Sequence, residues 1–76
     1  MANEERAKEM LQHLILLIHE SMQSVRPASL VQDDLFEQGR ALAYYEVGEL
    51  VLESARVFNL SLEELDVKGF NPGSLL

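Results

Sequence analysis

A chain of 76 residues makes one small domain, in a size range where folding buries only about 60% of the unfolded surface and association is a natural source of extra core. Thirteen acidic residues against six Lys and Arg give a net charge of −7 and a pI near 4.6, which argues against nucleic-acid binding and suits a basic partner. The absence of cysteine removes disulfides, thiolate nucleophiles and thiolate metal sites.

The unbroken apolar run Leu14–Ile18 is far short of the ~20 residues that cross a bilayer. The N-terminus lacks a basic segment followed by a small-residue cleavage site. A cytoplasmic protein without membrane association is the expectation.

Met1 and Ala2 are expected to fray. Asn3 followed by Glu4 and Glu5 then supplies an N-cap residue and an acidic first turn for a helix over about 4–25. Its apolar seam is Ala7, Leu11, Leu14, Ile18, Ser21 and Val25, flanked by Met10, Ile15, Leu17 and Met22. Leu16 projects from the opposite, polar side among Gln12, His13, His19 and Glu20, as a contact residue or simply an exposed leucine. His13 and His19 are about 120° apart around the helix, so they do not ligate one ion from a common face. They read as surface histidines or titratable flanks of an interface.

Arg26-Pro27-Ala28-Ser29 ends this helix, because the residue before proline is pushed out of the α region and proline cannot continue the ladder. Asp33 or Asp34 caps a second helix over about 34–58, and the short intervening loop permits an antiparallel hairpin. On that helix Ala41, Tyr44, Gly48, Val51, Ala55 and Phe58 form one seam. The small residues Ala41, Gly48 and Ala55 recur every seventh position and invite close approach of another helix. Phe36, Ala43, Val47, Leu50 and Val57 form a second apolar band beside the seam, more surface than one neighbour covers. Tyr44 lies on the seam and Tyr45 towards its edge, both suited to an interface or to core filling.

Asn59 stands where a left-handed residue would close the second helix. Ser61 and Glu64 form a capping box for a short third helix over about 62–67, which Lys68 and Gly69 would end. The tail, 69–76, is expected to dock as far as Phe70, with Ser74–Leu76 loose.

Glu46, Glu49 and Glu53 form an acidic strip on the second helix, a solvated face or a surface for a basic partner. Glu46-Val47-Gly48-Glu49-Leu50, with Glu63-Glu64-Leu65-Asp66 downstream, resembles the E-x-x-E and E-x-x-D pattern of all-α nucleoside triphosphate pyrophosphohydrolases of the MazG and dUTPase kind. That resemblance implies carboxylates on facing long helices holding Mg²⁺ at a nucleotide's phosphates, often in a dimeric four-helix arrangement. The serines have no histidine and carboxylate on a shared face, and no glycine-rich phosphate loop is present.

The residues together predict an all-α fold: an antiparallel two-helix hairpin with a short C-terminal helix or turn, dimerising into a four-helix bundle. The function they suggest is a small acidic, non-enzymatic protein-binding protein of bacterial or phage type, without catalytic residues, metal or cofactor. It would associate with itself and occlude or scaffold a partner, in the manner of an inhibitor or immunity protein of a basic enzyme. The Mg²⁺-dependent pyrophosphohydrolase and a purely structural dimerisation module are the alternatives. The candidate interface comprises Leu16, the seam residues Ala41, Tyr44, Gly48, Val51 and Ala55, and Phe36, Tyr45, Val47 and Leu50 beside them.

Overall fold

The computed structural model describes residues 2–76, with side chains from Asn3 onward, so the expectation for Met1 lies outside the described residues. Two helices dominate, α1 over Ala2–Gln23 and α2 over Leu35–Val57, with 3-10 turns at Ala28–Leu30 and Pro72–Leu75. No strand occurs among the described residues. The fold is all-α and its centre is a helical hairpin, as expected from the sequence.

Local chemistry accounts for the ends of α2. The Glu37 amide donates to Asp34 Oδ1 at 3.1 Å, an N-cap from the second of the two candidate aspartates. At the other end Asn59 adopts φ +55°, the Leu60 amide donates to the Ala55 carbonyl and the Asn59 amide to the Arg56 carbonyl. Those two bonds around a left-handed residue satisfy carbonyls that the helix end would otherwise leave open.

Residues 62–66 are consecutive turns, not the expected short helix. The Ser61 cap does form, with the Glu64 amide donating to its Oγ. Asp66, however, takes φ +58°, and the Val67 amide donates to the Leu62 carbonyl while the Asp66 amide donates to Glu63. The same closure that ends α2 is therefore repeated one turn after the cap, and initiation and termination signals leave no room for a helix between them.

The tail also departs from expectation, because it is docked well past Phe70. Phe70, Pro72 and Leu75 are all buried, and the Ser29 amide donates to the Leu76 carbonyl at 3.1 Å, tying the tail to the inter-helix loop. Pro72 lies over Gly48: a Cβ built there would stand 2.5 Å from Pro72 Cγ and 3.2 Å from Met22 Cε. The seam of Ala41, Gly48 and Ala55 is buried, as its small residues suggested, but the close neighbour at Gly48 is the chain's own proline turn and not another helix.

On α1 the buried face is Ile15, His19 and Met22, continued past the helix end by Val25. That face is rotated towards the polar side relative to the expected seam, so Leu11 and Leu14 are each 47% exposed. Phe70 is the cause. Its ring packs on His19 with centroids 5.6 Å apart, which draws into the core a position expected at the surface. His19 Nδ1 is buried without a hydrogen-bond partner among the described residues, and Nε2 lies 3.4 Å from Gln23 Nε2.

The molecule measures 51 × 19 × 17 Å. Residues 3–11 of α1 are all exposed, so the first turns of that helix project beyond the hairpin.

Candidate functional site: an open apolar groove

The tail covers one side of the hairpin and leaves the other open. Leu14 and Ile18 of α1, Val47 and Leu50 of α2, and Phe58 just past its end line a groove of about 700 Å³, together with Leu60 and Leu65. None of its lining residues is charged, and the single hydroxyl among them is that of Ser54. The exposures are high for side chains of this kind: Leu50 67%, Phe58 75% and Leu60 38%. Isolated apolar residues at a surface need no explanation, but a contiguous strip of this extent marks an interaction surface.

The groove contains part of the interface expected from sequence. Val47, Leu50, Val51 and Ala55 line it. Ala41 is buried in the core, Gly48 is buried beneath the tail, and Tyr44 and Tyr45 are half-buried against the core, where Arg40 lies 5.8 Å from the Tyr44 ring centroid. Phe36 is exposed at the opposite end of α2, beside Leu35. Leu16 faces a separate small depression with Gln12, His13, Leu65 and Asp66. Phe58, assigned to the core seam, and Leu11 and Leu14, assigned to the α1 seam, instead belong to the groove.

The acidic strip borders the exposed apolar band of α2 on the side away from the core. Glu53 is paired with Arg56, through both carboxylate oxygens, but the pair is exposed and adds little stability. Glu46 and Glu49 make no ion pair among the described residues. Glu63 and Asp66 sit in the turns after α2, not on a long helix facing Glu46 and Glu49. Among the described residues no three His, Asp or Glu side chains come together to hold a metal ion. The carboxylates that the pyrophosphohydrolase resemblance would unite are thus not assembled within one chain.

No described helix is long and apolar enough to cross a membrane. Comparison with protein-family models, curated proteins and solved structures finds no match.

Proposed function

We propose that this is a small, non-enzymatic, cytoplasmic protein-binding protein whose groove receives apolar helical surface from another protein chain, so that hairpin and occupant together complete a four-helix bundle. The supporting observation is the groove itself: two adjacent helices present an uncharged strip of leucine, valine, isoleucine and phenylalanine that no described residue covers. Helix-in-groove recognition uses such a surface, with side chains at three- and four-residue spacing as anchors. The acidic strip would then remain on an outward face, available to steer a basic partner towards occlusion or scaffolding.

A photo-crosslinking residue placed at Leu50 tests the docking reading. Leu50 is far enough from the core that its replacement leaves the hairpin intact, and irradiation in cells should yield an adduct heavier than the free chain. Failure to form any protein adduct would refute docking at this surface. The enzymatic alternative is tested separately, by calorimetry with Mg²⁺ and a non-hydrolysable nucleoside triphosphate. The binding reading expects no heat, and a saturable signal would favour the pyrophosphohydrolase.

A further inference from the structure

We infer that the occupant of the groove is a second copy of this chain, related by a two-fold axis. This inference rests on the docking reading above and names the partner.

The first reason is the amount of surface. The chain exposes 5683 Å², whereas the surface-to-mass scaling of folded monomers gives about 4,700 Å² at 8.6 kDa. The surplus of about 1,000 Å², to which the projecting first turns of α1 also contribute, is large enough to include the ~800 Å² that each partner contributes to a stable interface.

The second reason is charge. Two chains of net charge −7 can meet here without opposing like charges, because the groove lining is uncharged and the acidic strip of α2 lies outside it. A partner selected by its positive charge would be met at the acidic strip, so the groove carries no electrostatic preference for a foreign chain. The third is form. A two-fold contact uses one patch on both subunits, so that patch must hold both projection and recess. Leu50 and Phe58 project beside the hollow that Leu14 and Ile18 line, so each copy offers what the other lacks.

The test is the solution mass of the full chain by light scattering after size exclusion, across a hundredfold dilution from about 100 µM. The expected mass is twice 8.6 kDa at the upper end. Leu14→Glu and Leu50→Glu should each weaken the dimer by about a hundredfold or more, since the symmetry buries every introduced charge twice. Both positions are 47% or more exposed in the single chain, so circular dichroism should show unchanged helix content in the resulting monomers. Using one position on each helix keeps the test valid if either variant folds poorly. A monomeric mass at the highest concentration would overturn the second copy as occupant, while an adduct to a different protein at Leu50 would preserve docking. A dimer that both variants leave intact would likewise overturn the second copy as occupant, because its contact would lie elsewhere, and docking would then stand or fall on the Leu50 adduct.

Discussion

Replacing Gly48 by alanine sets two known effects against each other, and the structure decides which prevails. On an exposed helix the substitution stabilises by up to about 1 kcal/mol, because glycine loses more backbone freedom on folding. Here the new methyl would stand 2.5 Å from Pro72 Cγ and 2.7 Å from Pro72 Cβ, where carbons in contact rest at about 3.5–4.0 Å. Met22 Cε, at 3.2 Å, ends a flexible side chain and can yield. Pro72 cannot, since its ring is rigid, less than 2% exposed and held in one 3-10 turn with buried Leu75. A contact this close belongs at the upper end of the about 1–3 kcal/mol that overpacking costs, leaving Gly48→Ala destabilising by about 1–2 kcal/mol net. At the usual sensitivity of small domains the melting temperature should fall by roughly 5–15 °C. Circular dichroism melts and urea titrations at one fixed protein concentration measure this, the fixed concentration being needed because association shifts the midpoint. A double-mutant cycle localises the cause: in a Pro72→Gly background Gly48→Ala should be neutral or stabilising by up to about 1 kcal/mol. A rise in melting temperature from Gly48→Ala alone would refute the seating of the tail on α2.

Substitutions at three further positions test the same architecture in different places. Leu75→Ala, at a side chain only 3% exposed, should cost about 2–4 kcal/mol in urea unfolding, and a loss under about 0.5 kcal/mol would show that the tail does not dock. Asn59 holds φ +55°, so Asn59→Gly should stabilise by a few tenths of a kcal/mol and Asn59→Ala destabilise by about 1 kcal/mol; equal stabilities would place the helix closure at another residue. His19→Leu removes a buried Nδ1 that has no partner among the described residues and should stabilise by about 1 kcal/mol, whereas a clear loss of stability would reveal a bond to that nitrogen.

The parts of the fold legible in the sequence are those governed by local chemistry. Asp34 and Asn59 lie within two residues of the ends of α2 and Pro27 four residues past the end of α1, because capping and proline sterics act over about a single turn. The small seam on α2 was legible as a space, since Ala41, Gly48 and Ala55 have little to project. What fills that space was not, because the docking of Pro72 depends on long-range placement of a segment with no helical period. His19 shows the same limit from the other side. Its polarity assigned it to the surface, and only the arrival of Phe70 from the distant tail made burial there favourable. With the α1 core face turned towards His19, Leu11 and Leu14 moved from expected core to groove. The excess of apolar residues on α2 was the signal for the groove, and it identified Val47 and Leu50 but not their facing residues on α1.

The described residues leave the groove open, and this links association to folding. Segment 60–76 packs on the seam of α2 and on His19, and no described element covers Leu14, Leu50 and Phe58. Full burial of such side chains stabilises by about 1.5–3 kcal/mol each, of which roughly half is still unrealised at the observed exposures. Over the half-dozen principal side chains of the groove the unrealised part is of the order of 5 kcal/mol per chain. The whole stability expected for 76 residues is about 4–11 kcal/mol, so the two quantities are of comparable size. An occupant that covers the groove therefore contributes to stability on the scale of folding itself, and the melting temperature of the wild-type chain should fall on dilution. In Leu50→Glu, where the groove stays open at every concentration, the melting temperature should be lower and independent of dilution. A wild-type melting temperature unchanged over a hundredfold dilution would show that the exposed strip is stable in water without a second copy, and that its apolar residues answer to something other than self-association.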